Sequence, residues 1–235
     1  MATLNSTRLE EALAVLCLDC TRYDASDQLA KVLAIVSLTP YLAIFQVASV
    51  VYSRRQLHDA WTLAGMIICA AVAKFLKAAI RHSRPASLCE RLGNCNEYGM
   101  PSSHTQLIFF AFVTYMLHIT RTPASSLPAV RWQRAFHMAQ GAALGLLAVA
   151  VAYSRTYLGY HTIIQVVAGA VIGSALAVMW FLLVQRWLAG AVFPTLQRWP
   201  IVKALGFKDV WRENPDEVLY KEREWYELRG ARKRP

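Results

Sequence analysis

Two stretches of this chain, Val32–Tyr52 and Thr162–Val184, each run for more than 20 residues without a charge. A helix of that length crosses the ~30 Å hydrocarbon core of a bilayer. Trp61–Ile80, Thr105–Ile119 and Ala135–Tyr153 are further apolar runs. Lys74 and Lys77 interrupt the first of these, and Thr105–Ile119 is short. Those two can span only if protein, rather than lipid, holds their polar ends. A hydrophobic content of 56% and a mean hydropathy of +0.30 exclude an ordinary soluble domain of this size. The expected fold class is all-α: a polytopic membrane protein, a bundle of about five transmembrane helices. The chain shows neither β-barrel alternation nor an internal repeat. Its first 28 residues lack a basic region followed by an apolar one, so the first helix is expected to direct insertion.

Lysine and arginine placement sets the expected orientation. Five spans put the N-terminal segment and the 81–104 and 154–161 loops on one side. The other side carries Arg54, Arg55, Arg121, Arg131 and Arg134, then eleven basic residues from Arg186 to Arg234. That excess assigns it to the cytosol and the opposite side to a lumen. The net charge of +10 therefore reads as membrane topology, and no nucleic-acid motif is present. The expected domains are a lumenal segment 1–30, a transmembrane domain 31–186 and a basic cytosolic tail 187–235. The tail interleaves Trp187, Trp199, Trp211 and Trp225 with charge, fitting either a membrane surface or a solvated segment. Asn5-Ser6-Thr7 is a lumenal glycosylation sequon. Cys17 with Cys20 and Cys89 with Cys95 are either two local disulfides or four free thiols. Pro40 should kink the first span.

Three stretches carry chemistry. Lys74, Lys77, Arg81 and Arg84 are spaced 3, 4 and 3 apart, which on one continuous helix confines them to an arc of roughly 80°. Snorkelling accounts for one or two such cations; four on one face, followed by Pro85, point to a polyanion. Pro101-Ser102-Ser103-His104 opens the next apolar run, and helix starts favour anions. Ser154-Arg155 precedes His161 by six residues, and Gln165 follows it by one helical turn.

Taken together, Lys77-x6-Arg84-Pro85, Pro101-Ser102-Ser103-His104 and Ser154-Arg155-x5-His161 resemble the three-part signature of the type 2 phosphatidate phosphatase superfamily. The fuller stretches Tyr98–His104 and Tyr153–Thr162 look like its dolichyl diphosphate phosphatase branch, over most of residues 30–200. Ser103 stands where most members have Gly, so no positive φ is expected there. Gln165 stands where the usual pattern has an acid, and it orients the ring without adding charge.

The residue types alone point to phosphoryl transfer without a metal, because Glu90 and Glu97 are the only acids in the 81–104 loop and a magnesium site needs more carboxylates. Lys77, Arg84 and Arg155 suit neutralisation of a phosphoryl group, with Ser102, Ser103 and the adjoining N–H groups as further donors. The resemblance implies that His161 is the nucleophile and His104 the acid and base, with no cofactor. It also implies a polyprenyl diphosphate substrate and residence in the endoplasmic reticulum membrane, with the active site facing the lumen. A lipid phosphatase for phosphatidate or sphingoid phosphates stays open, as does a non-catalytic lipid-binding protein, although the latter has no use for both imidazoles.

Overall fold

The computed structural model describes residues 13–16, 21–85, 98–121 and 128–208. Asn5 and the four cysteines Cys17, Cys20, Cys89 and Cys95 lie outside these residues.

A short antiparallel hairpin, not expected from the sequence, comes first. Its strands are β1 (Leu13–Leu16) and β2 (Thr21–Asp24), with Leu13 opposite Asp24 and Leu16 opposite Thr21. Asp27 then caps helix α1 (Gln28–Val36), its carboxylate accepting from the N–H groups of Leu29 and Ala30 at 2.9 and 3.1 Å. These bonds satisfy donors that a helix start leaves over, and they hold the Asp27 carboxyl below its ordinary pKa.

The expected kink is a full break. Helix α1 stops at Val36, and α2 (Thr39–Arg54) starts again with Pro40 in its first turn. There the missing proline N–H costs no helical bond. Ser37 Oγ donates to the Ala34 carbonyl at 2.8 Å, and the Thr39 hydroxyl donates to that of Val36. Two carbonyls orphaned by the break are thereby satisfied.

Helices α3 (Leu57–Ile80), α4 (Ser103–Arg121), α5 (Pro128–Tyr157) and α6 (Ile163–Leu183) follow. A π-helical stretch Val184–Val192 continues α6 into two short helices, α7 (Phe193–Leu196) and α8 (Pro200–Ala204). Gln28–Arg54, Leu57–Ile80, Arg134–Tyr157 and Ile163–Leu196 are long and apolar enough to cross a membrane. Along them Phe45, Ile67, Phe75, Leu146 and Val171 are more than half exposed, as lipid-facing side chains are. The chain is a helical membrane protein. Helix α4, the weak third run, falls short of that apolarity, and its polar start is sealed by protein: Ser102, His104, Thr105 and Gln106 are all buried.

Glycines allow that sealing. A Cβ on Gly173 would lie 2.1 Å from the Gln106 carbonyl oxygen, and one on Gly169 would lie 2.6 Å from that of Ser102. Helix α6 thus meets the start of α4 backbone to backbone. On its other side α4 meets α5, where Gly145 sits under the Phe112 ring and Ile108, Ala148 and Val151 form a buried cluster.

The four-cation stripe does not form. Helix α3 ends at Ile80, its final bond running from the Arg81 N–H to the Lys77 carbonyl at 3.1 Å. Arg81 has a left-handed φ of 51°, and residues 82–85 leave the helix. Pro85 disfavours helical geometry at Arg84, so the helix gives out before reaching it. Lys74 and Arg81 are exposed, and the Arg81 guanidinium bonds back to the Ala78 carbonyl at 3.1 Å.

The chain divides into two compact units, Met1–Gln46 with Ala64–Phe181, and Val47–Leu63 with Leu182–Pro235. In the second, Trp61 stacks on Phe193 with centroids 6.2 Å apart. The Leu57 N–H donates to the Lys208 carbonyl at 2.9 Å, and the Lys208 N–H to that of Arg55 at 2.8 Å. The sequence-predicted site residues all belong to the first unit.

Candidate active site

Helix α5 ends in a turn that only a left-handed residue closes. The Leu158 N–H bonds the Ser154 carbonyl at 2.9 Å, and the His161 N–H bonds that of Arg155 at 3.1 Å. Gly159 between them has a φ of 75° and open space around it, so conformation rather than room demands glycine. This turn sets His161 beside Arg155 although six residues separate them.

The chain enters α6 through a capping box. The Gln165 N–H bonds the Thr162 hydroxyl at 3.4 Å, while Gln165 Oε1 accepts from the Thr162 N–H at 3.2 Å. The same Oε1 lies 3.2 Å from His161 Nδ1. Gln165 Nε2 donates to the Ser83 carbonyl at 2.7 Å and lies 2.9 Å from His82 Nδ1. The Ser83 carbonyl can only accept and the Thr162 N–H can only donate, so the nitrogen is the end at Ser83 and Oε1 the end that faces His161. His161 Nδ1 therefore carries the hydrogen, and its Nε2 keeps a lone pair. His161 is 3% exposed. Its pKa is held well below the ordinary histidine range, first by burial and then by the cations Arg155, Arg84 and Lys77, against the opposing pull of the Gln165 hydrogen bond. Burial and the neighbouring cations thus both favour the neutral ring.

Arg155 is 3% exposed, and its guanidinium carbon lies 4.3 Å from the centroid of the Tyr160 ring. The Tyr160 hydroxyl is gripped from both ends of one residue of β2. It accepts from the Arg22 N–H at 2.7 Å and donates to the Arg22 carbonyl at 3.2 Å.

The Pro-Ser-Ser-His turn is anchored on α6 by a bond from the Ser102 N–H to the Gln165 carbonyl at 3.1 Å. The Ser102 carbonyl accepts the first helical bond, from the Gln106 N–H at 2.9 Å, and the Ser102 hydroxyl accepts from that of Thr105 at 3.1 Å. Ser103 opens α4 without a positive φ, and its hydroxyl accepts from Lys77 Nζ at 3.4 Å. His104 is 6% exposed and packs edge-on to Tyr41, with centroids 5.3 Å apart.

Lys77, Arg84, Arg155 and His161 are thus close enough for the three cations to act on the imidazole, and Ser102, Ser103, Gln165 and His104 are tied to the same junction. The positive end of α4 adds to the field. Such a site suits a phosphoryl group, with a neutral nitrogen available as nucleophile.

Residues 58–189 match the PAP2 superfamily. The chain belongs to that superfamily. Dolichyldiphosphatase 1 of Homo sapiens is 32% identical over 193 residues, 80% of this chain and 78% of its own length. Lipid phosphate phosphatase gamma of Arabidopsis thaliana is 31% identical over 230 residues, 96% of this chain and 95% of its own. Among solved structures, a transmembrane PAP2-type phosphatidylglycerolphosphate phosphatase from Bacillus subtilis shares the fold. It has a TM-score of 0.52 at 18% identity, covering 77% of this chain and 85% of that one. The sequence-predicted site residues, from Lys77 to Gln165, lie inside the PAP2 match.

Sequence reasoning missed several partners of this PAP2 site. Thr162-x-x-Gln165 ahead of an apolar run is a capping-box signal, and it was there to be read. Gly99 had no such signal: a Cβ there would fall 2.6 Å from Gln165 Nε2. His82, Arg22 and Tyr41 reach the site only through contacts distant in sequence.

Proposed function

We propose that this PAP2-family phosphatase hydrolyses dolichyl diphosphate to dolichyl phosphate and inorganic phosphate, returning the carrier lipid used in protein N-glycosylation. The observation that carries the reading is a buried His161 whose Nδ1 lies 3.2 Å from Gln165 Oε1, beside three cations that favour its neutral form. The names of the dolichyldiphosphatase relatives supply the substrate. The catalytic domain is residues 31–186, with 1–30 in the lumen of the endoplasmic reticulum and 187–235 in the cytosol.

His161 Nε2 attacks the terminal phosphorus, and the bond from phosphorus to the bridging oxygen breaks. The electron pair leaves with dolichyl phosphate, whose oxygen takes a proton from His104. Lys77, Arg84 and Arg155 hold the equatorial oxygens, and the Ser102–Ser103 turn adds donors. Gln165 keeps its bond to the Nδ1–H as the phosphohistidine becomes cationic. A water then attacks phosphorus, gives its proton to His104, and releases phosphate and the neutral ring. The polyprenyl chain lies among the apolar helices.

The similarity to a lipid phosphate phosphatase over nearly the whole chain favours a second reading, in which the substrate is phosphatidate or a sphingoid phosphate. One assay separates the two: phosphate release by purified protein from dolichyl diphosphate, phosphatidate and a polyprenyl monophosphate, with and without EDTA. Dolichyl diphosphate should be turned over fastest, with no loss on chelation, since the site gathers cations where a metal enzyme gathers carboxylates. His161→Ala should lower kcat by more than ~10³-fold. Preference for phosphatidate would establish the second reading, and an active His161→Ala would remove the phosphohistidine.

A further inference from the structure

We propose that His82, which the mechanism above does not use, is a positioning residue for the nucleophile: its Nδ1 holds the Gln165 amide in the one orientation that keeps His161 competent. The proposal rests on His161 being the nucleophile.

An amide side chain can turn end for end at little steric cost, and here the two orientations have opposite consequences. With Oε1 toward His161, the imidazole carries its hydrogen on Nδ1 and leaves Nε2 free to attack. Turned round, the NH₂ would face His161 Nδ1, draw the lone pair there and put the hydrogen on Nε2. The Thr162 N–H favours the first orientation, donating to Oε1 at 3.2 Å. At the other end the nitrogen has two hydrogens and needs two acceptors. The Ser83 carbonyl is one, at 2.7 Å, and His82 Nδ1 is the other, at 2.9 Å. His82 Nδ1 also lies 3.1 Å from the Ser83 carbonyl, a contact that an Nδ1–H would satisfy, whereas accepting from Gln165 puts the ring's hydrogen on Nε2. His82 is assigned the second arrangement, which leaves the Ser83 carbonyl to Gln165 alone and gives the two histidines opposite tautomers across one amide.

The segment is built to keep His82 there. Arg81 turns left-handed straight after α3, and the His82 carbonyl accepts the Gly99 N–H at 2.7 Å. That bond draws in the strip before Pro101, where Gly99 leaves the room that the Gln165 amide fills. Gln165 is fully buried while the His82 ring is exposed. Substitution at 82 thus removes an acceptor without opening a core cavity.

The test uses full-length protein and whichever of dolichyl diphosphate or phosphatidate the wild type hydrolyses. His82→Ala should lower kcat about 10-fold with KM within about twofold, because the nucleophile rather than substrate binding is affected. His82→Asn, whose side-chain oxygen can take the place of Nδ1, should restore kcat to within about twofold of wild type. His82→Ala combined with Gln165→Ala should be no slower than Gln165→Ala alone, since both act through one amide. Should His82→Ala fail to fold, His82→Phe replaces it, keeping a ring but no acceptor, with the same loss expected. Wild-type kcat in the variants lacking an acceptor, an Asn variant as slow as they are, or additive losses in the double variant would each overturn the proposal. His161→Ala run in parallel separates the failures. If it is inactive while the His82 variants are normal, only the role of His82 falls. If it is active, the nucleophile assignment falls with it.

Discussion

At position 165 a carboxylate and an amide are the same size, yet only the amide suits the surroundings. Glutamate would keep the bonds from His161 and Thr162, but its second oxygen would face the Ser83 carbonyl where an N–H now donates at 2.7 Å. Gln165→Glu is therefore expected to lose about 1–3 kcal/mol of stability, read as a lower unfolding temperature in detergent. Its charge also favours imidazolium at His161. The wild-type ring, held below the ordinary value near 6.5, stays neutral until the pH falls well beneath that value. The acidic limb of kcat/KM should lie on that low side in wild type and move to higher pH in Gln165→Glu. The leaving group decides how much His104 matters. A departing lipid phosphate, with a second pKa of about 6, needs little help from an acid, whereas a departing alcohol needs a great deal. His104→Ala should cost about 10-fold with dolichyl diphosphate and nearer ~10³-fold with phosphatidate, measured as kcat/KM on each lipid, which reports phosphohistidine formation and not the hydrolysis step common to both.

Helices α4 and α6 are held at backbone distance by Gly169 and Gly173. The neighbour of a new Cβ at 173 is a carbonyl oxygen at 2.1 Å, which cannot rotate away as a side chain would. Gly173→Ala should cost about 1–3 kcal/mol and displace the Ser102–His104 turn, lowering both melting temperature and kcat. Gly159→Ala meets no atom within 4 Å and should cost only about 1 kcal/mol for its positive φ. Most of the elements were legible in the sequence, because long apolar runs and three compact motifs report on local structure. The error lay at the end of α3. A spacing of 3, 4 and 3 describes a face only while the helix lasts, and the helix lasts to Ile80. Lys77 and Arg84 reach the site nonetheless, one from the helix and one from the extended strip after it. The junction at Gln165 was half legible. Its bond to His161 is one turn long, whereas its bonds to His82 and Ser83 cross more than eighty residues, and sequence spacing does not record them.

For the whole molecule, the orientation proposed from charge placement has the Pro-Ser-Ser-His turn in the lumen and the basic tail in the cytosol. A glycosylation acceptor inserted between residues 86 and 97 should be modified in microsomes, and one placed after Arg229 should not; the reverse pattern would invert the topology. The hold of Arg22 on Tyr160 spans 138 positions, which imposes an order on biosynthesis. A ribosome releases Arg22 early and Tyr160 only after the Leu57–Ile80 span and most of α5 have been threaded into the membrane. The platform beneath Arg155 is thus completed only late, and His161 emerges one residue later, still ahead of Gln165 and α6. A half-made chain can rest in the bilayer without a complete site.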